Sequence, residues 1–250
     1  MSLWQTITGT VALLCVAASS GAATNQVSHL NDTEISRTVK LPYLLHVPSN
    51  YKEDPSRRWP LLLYLHGGSV RGSEIDKVRT LGLPKRLDHD PQFPFIVVSP
   101  LAPEGEIWTD VEALAGLVDF VQLTHRVDPD AVYVTGHSMG GRGALYMAYK
   151  YPQRFAGVVA MSPVSPITAW AKRLHNVPLW LIHGAKDEQA PVKESEELIS
   201  AIEKGGGKPR FTRLDERDHF ILDQYEGAAI VDWLMAQRKP ASAASSSPTQ

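Results

Sequence analysis

The segment Gly136-His137-Ser138-Met139-Gly140 sets a hydroxyl between two glycines, where the β-branched run "AVYVT" gives way to the helical pattern "GRGALYMAYK". Glycine costs backbone entropy within either element, so its place on both sides of the turn calls for a steric reason. A sharp strand-to-helix turn supplies one. A side chain at 136 or 140 would collide with neighbouring backbone, and the turn pushes the serine oxygen into the open. G-x-S-x-G in that setting points to nucleophilic acyl chemistry; an ordinary glycine turn is the alternative.

A serine hydroxyl is a weak nucleophile until a base takes its proton, and the base needs an acid to orient it. Nine histidines compete for the role of base. His29 and His46 precede the apolar core pattern, and His89, His125 and His175 fall in polar loops or helix ends. His137 adjoins the serine and is expected to point away across the turn. His66 and His183 end apolar runs just before glycines, where a histidine braces a loop through hydrogen bonds. His219, in "LDERDHFILDQ", follows the last strand pattern and precedes the last helix, so it can reach over a sheet edge to Ser138. For the acid, Asp187 lies in the turn of "LIHGAKDEQAPV", with Glu188 as the neighbouring alternative; Asp215 and Asp218 read as solvated loop carboxylates. The chain order Ser138, Asp187, His219 is one of the known orders of such triads. Acyl transfer also needs donors aimed at the developing oxyanion. The backbone N–H of Met139 and that of Gly68, in "LHGGS", are the candidates, and a plain strand-ending turn is the alternative at Gly68.

The elements that must position these residues alternate along the chain. "RTVKLPYLLHVP", "WPLLLYLHGG", "FPFIVVSP", "AVYVTGHS", "AGVVAMSP", "VPLWLIHG" and "KPRFTRLD" read as short strands stopped by Gly, Pro, Ser or charge. Several are apolar on both faces, as buried parallel strands are. Helical patterns fall between them, around Val111–His125, Gly141–Lys150, Val192–Lys204 and Gly227–Gln237. The alternation predicts an α/β fold: a doubly wound, mostly parallel sheet with helices on both faces. Ligands in such sheets sit beyond the carboxyl ends of the strands, and Ser138, the His66-Gly67-Gly68 run, the turn after His183 and Trp108 all follow strand ends.

Composition narrows the function further. A net charge of −2 with 21% charged residues leaves no basic face for nucleic acid or an anionic membrane. "TVALLCVAASSGAAT" is an apolar run of signal-peptide length with small residues suited to cleavage near Ala22 or Ala23, although only the terminal amine, and no Lys or Arg, precedes it. Residues 1–23 are therefore expected to be an export leader, making the protein periplasmic or secreted with no stable membrane span after cleavage; a loose or membrane-lying arm is the alternative. Cys15, the one cysteine, lies within that leader, so the mature chain would hold neither a disulfide nor a thiolate metal site. Residues 30–238 are read as one catalytic domain, and the Ala/Ser/Pro-rich 239–250 as a disordered tail. No pattern specifies an oligomer.

The segments "LLLYLHGGSVRGSE", "FPFIVVSPLAPEGEIW", "RVDPDAVYVTGHSMGGRGALYMAYKYPQRFAGVVAMSP", "VPLWLIHGAKDEQAPV" and "DHF" together resemble the phospholipase/carboxylesterase-like α/β-hydrolases. Among these they are most similar to the branch labelled predicted peptidases, akin to feruloyl esterases and polyester depolymerases. The resemblance covers nearly all of residues 40–238. It implies a Ser138, Asp187, His219 triad, oxyanion donors at Gly68 and Met139, and Trp108 lining the acyl pocket, where a core or rim tryptophan is the alternative. Some relatives insert a lid after the strand matching "AGVVAMSP"; here only "SPVSPITAWAKRLHN" intervenes, so no lid domain is expected. Trp170 and Phe220 are candidate rim aromatics. The expected reaction is hydrolysis of a small-molecule or polymeric carboxylic ester through an acyl-enzyme, with no metal or organic cofactor. Peptide cleavage by the same residues and a non-catalytic binding role on the same scaffold are the alternatives.

Overall fold

A computed structural model describes residues 37–239 of the 250-residue chain. By contact the chain divides into Met1–Thr38 and Val39–Gln250, and the architecture below belongs to the second unit. The expected leader, with Cys15 and His29, and residues 240–250 lie outside the described residues.

Seven strands form one sheet: β1 (Tyr43–His46), β2 (Trp59–Leu65), β3 (Ile96–Pro100), β4 (Val127–His137), β5 (Gly157–Met161), β6 (Leu179–Gly184) and β7 (Arg210–Leu214). Their spatial order is β1-β3-β2-β4-β5-β6-β7. Only β1 runs antiparallel, against β3; every other neighbouring pair is parallel. The helices are α1 (Gly82–Leu87), α2 (Val111–Thr124), α3 (Met139–Lys150), α4 (Ala171–Leu174), α5 (Val192–Lys204) and α6 (Ala229–Met235).

The apolar runs explain the layering. All seven residues of β2 are buried, and successive side chains leave a strand on opposite faces. Leu61, Leu63 and Leu65 join Val132, Val134, Val158 and Leu181 in a core that takes in α2, α3 and α5. Leu62, Tyr64, Tyr133, Val159 and Ile182 face the other way, against Leu83 of α1 and Ile230 and Leu234 of α6. Helices thus cover both faces, as the alternation predicts.

Local chemistry sets the helix ends. Asp110 caps α2, its carboxylate accepting the Ala113 N–H at 3.1 Å. Pro191 precedes α5 and Gly205 follows it. The segment between β5 and β6 holds only a 3₁₀ turn at Thr168–Trp170 and the single-turn α4, pinned by Trp170 stacking on Tyr146 and Tyr149 of α3. No helix among the described residues is long and apolar enough to cross a membrane.

Leu63 lies on the interior strand β2 with no exposed surface. Leu63→Ala is expected to cost about 2–5 kcal/mol, read as a lowered urea midpoint at unchanged slope.

Candidate active site

β4 ends at His137 and α3 begins at Met139, leaving Ser138 as the single hinge residue at φ 58°, ψ −118°. A positive φ is strained for any residue but glycine, costing about 1–3 kcal/mol, so the surroundings must hold it. The Ser138 N–H donates to the Met161 carbonyl at the end of β5 at 2.9 Å, and the Ser138 carbonyl accepts the Arg142 N–H at 3.0 Å. The flanking glycines are required sterically. A Cβ at Gly136 would lie 2.4 Å from the Gly140 carbonyl, and one at Gly140 only 1.8 Å from the Leu65 carbonyl oxygen.

The structure brings Ser138, His219 and Asp187 into one chain of hydrogen bonds. Ser138 Oγ is 2.8 Å from His219 Nε2, and His219 Nδ1 is 2.7 Å from Asp187 Oδ2. A carboxylate oxygen only accepts, so Nδ1 carries the hydrogen; in the neutral ring Nε2 is then left to accept from the serine hydroxyl. Asp187, not Glu188, faces the ring: Glu188 is exposed. Asp187 wins because the turn after it folds back on its side chain, with Oδ1 accepting the Gln189 and Ala190 N–H groups at 2.9 and 2.7 Å. Burial alone would raise its pKa. The Ala190 N–H and the His219 bond and charge outweigh that, so the carboxyl is held below the usual range.

The loop bearing His219 is seated on the sheet. A Cβ at Gly184, the last residue of β6, would sit 2.0 Å from the Asp218 carbonyl oxygen, so backbone lies directly on backbone there. The Lys186 N–H donates to the Arg217 carbonyl at 2.9 Å. His137 adds a further tie, and here the structure corrects the expectation that its side chain points away. Its ring lies 4.9 Å from that of His219, and its Nε2–H donates to the His219 carbonyl at 2.7 Å. The ring is folded back because that carbonyl offers a buried N–H its partner.

His66 braces the opposite wall. Its Nδ1–H donates to the Gly67 carbonyl at 2.8 Å, while Nε2 accepts the Ala102 N–H at 3.0 Å. Gly67 and Gly68 line a cavity of about 280 Å³ together with Ser138 and His219. Met139 opens α3, whose first N–H groups receive no side-chain cap from Ser138.

Trp108 does not line this cavity; it stands on a separate one with Ala102, Ile107 and Leu114. Its indole is buried and donates Nε1–H to the His66 carbonyl at 2.9 Å, so it supports the glycine loop from behind. The cause is steric: α3 passes so closely that a Cβ at Gly143 would lie 2.6 Å from Trp108 Cβ. Trp170 is likewise packed against tyrosines, whereas Phe220 stands on the cavity rim, 59% exposed. Sequence reasoning missed the cavity walls at Tyr64, Val70, Leu81, Gln189 and Leu222. Each is an ordinary residue type with no chemical signature of its own, and they come from separate parts of the chain.

Burial pushes His66 and His137 down to about 4 each, so both are neutral at pH 7. An unfolded histidine protonates near its ordinary value of about 6.5. Between about 6.5 and 4 the unfolded chain therefore binds more protons than the folded one, and stability must fall as pH falls through that window, levelling off below it. The unfolding free energy read from urea titrations should drop from pH 7 to pH 5 by about 1–2 kcal/mol per histidine, and His137→Gln should flatten that pH dependence. Gly140→Ala should lower the melting midpoint, because its methyl meets the Leu65 backbone.

Residues 108–218 match the Esterase family model, a span that includes Ser138 and Asp187 and stops one residue before His219. S-formylglutathione hydrolase of Paracoccus denitrificans (strain Pd 1222) is 30% identical over 146 residues, which are 57% of this chain and 48% of that protein. The chain thus spans about half the length of this curated relative. The solved structure of a thermostable esterase superposes with a TM-score of 0.68 at 23% identity, covering 80% of this chain and 60% of that one. A ferulic acid esterase gives a TM-score of 0.61 at 18% identity, covering 77% and 89%. With its seven-stranded, mostly parallel sheet, helices on both faces and a strand-to-helix serine turn, the chain has the α/β-hydrolase fold, and within it residues 108–218 are similar to the Esterase family.

Proposed function

We propose that the protein hydrolyses carboxylic esters through an acyl-enzyme intermediate, with Ser138 as nucleophile, His219 as base and then acid, and Asp187 as the group that orients His219. The observation that carries this reading is the unbroken Ser138–His219–Asp187 bond chain, at 2.8 and 2.7 Å, opening on a cavity. Oγ of Ser138 attacks the ester carbonyl as its proton passes to His219 Nε2. The tetrahedral oxyanion is met by the N–H groups of Met139 and Gly68. Collapse breaks the bond to the alcohol, whose oxygen takes the proton back from Nε2. A water activated by His219 then attacks the acyl-enzyme, and collapse of that second intermediate frees the acid and restores Ser138.

Tyr64, Val70, Leu81, Phe220 and Leu222 give the cavity an apolar wall. It suits an ester with a compact apolar group beside the scissile bond, and it offers no cluster of charge to grip a polar one. The relatives named S-formylglutathione hydrolase are the reason to set a thioester beside oxoesters in any substrate panel.

A fluorophosphonate probe should label the intact protein at Ser138, and Ser138→Ala should neither label nor turn over a short p-nitrophenyl ester, with kcat lowered by about 10⁴-fold or more. Faster release from an aminoacyl p-nitroanilide than from the ester would overturn the ester assignment in favour of a peptidase. Failure to label would favour a binding role on the same scaffold.

A further inference from the structure

We propose that His183 is a positioning residue for the acid: its Nε2–H fixes the carboxylate of Asp187 in the plane that His219 needs, and so sets the rate at which Ser138 is activated. The inference rests on the triad reading above and extends it by one residue.

His183 belongs to β6 and is fully buried. Its Nε2 lies 3.0 Å from Asp187 Oδ2 and 2.8 Å from the Ala190 carbonyl oxygen. Both are acceptors, so Nε2 must carry the hydrogen and share it between them. Nδ1 lies 2.8 Å from the hydroxyl of Ser195, itself fully buried in the first turns of α5. With the hydrogen on Nε2, that hydroxyl donates to Nδ1. Burial pushes the His183 pKa below its ordinary value, which keeps the ring neutral and the acid its sole charged neighbour in this group of bonds.

The consequence lies in how the donors divide. Oδ1 of Asp187 takes two N–H groups from its own turn. Oδ2 takes His183 and His219. The amides fix one oxygen, but the plane of the carboxylate needs a second anchor. His219 cannot be that anchor, because it is the group being oriented and its loop belongs to another part of the chain. His183 can, since it stands on the sheet. Without its N–H the carboxylate is free to turn about the Oδ1 anchor, and Oδ2 drifts from the line to Nδ1. Misplacement on the scale of 1 Å costs about 10²-fold in rate.

A histidine that merely stabilised the turn would act regardless of Asp187, and a double-mutant cycle separates the two cases. On a short p-nitrophenyl ester, His183→Leu should lower kcat by about 10²-fold with KM unchanged within about threefold. His183→Gln, which keeps an N–H at similar reach, should recover most of that loss. In an Asp187→Asn background, adding His183→Leu should lower kcat no further. Independent, multiplying losses in the double variant would overturn the proposal, as would full kcat in His183→Leu. Should His183→Leu not fold, His183→Phe, which fills the space of the ring without an N–H, decides: lowered kcat at an unchanged melting midpoint supports the proposal, and unchanged kcat overturns it. If Ser138→Ala or Asp187→Asn retains full turnover, the triad reading itself fails. If both lose it while His183→Leu does not, only the present proposal fails.

Discussion

The structure depends most on one close approach, that of the start of α3 to the end of β2. The Leu65 carbonyl lies where a side chain at Gly140 would have to be, and nearly where one at Gly136 would be. Because the backbones touch there, the chain between β4 and α3 has room for a single residue, and that residue takes a left-handed conformation. The geometry of the serine is thus a by-product of strand-to-helix packing. The strain it stores is held by bonds from Met161 and Arg142 on both sides, at the C-terminal edge of the sheet where all the other groups converge.

Three buried histidines, His66, His137 and His183, stand at or just beyond the ends of β2, β4 and β6. Each spends its N–H on an acceptor that shapes the site: the Gly67 carbonyl, the His219 carbonyl and the Asp187 carboxylate, respectively. Desolvation lowers the pKa of all three, so they act as neutral, directional donors and bring no competing charge near the carboxylate. Imidazole suits this use because its two nitrogens can tie two segments while the ring fills apolar space. The network is costly to leave incomplete, since an unpaired polar group in such surroundings loses its water without compensation.

Much of this was legible in the residues, and unevenly so. α5 runs over the span its pattern gives, Val192–Lys204, because Pro191 and Gly205 punctuate it. α3 begins two residues before the expected Gly141, since tertiary packing overrides the poor helix propensity of Gly140 and Gly141. α1 was not foreseen: six residues containing Pro84 are too short to show a period. Ser138, Asp187 and His219 stand out because each follows a strand end. The side-chain direction of His137 did not, because the carbonyl it seeks lies 82 positions along the chain. The choice between Asp187 and Glu188 needed the fold of the turn, and the Trp108 side chain needed the path of α3.

The seating of the His219 loop on Gly184 couples two parts of the molecule that could otherwise drift. Backbone rests on backbone there, and Asp187 emerges three residues after that glycine. His219 and Asp187 are therefore mounted on the same frame of backbone contacts. Because that seat is made of strand and loop backbone, the spacing of the two side chains should be lost together with the sheet and not before it.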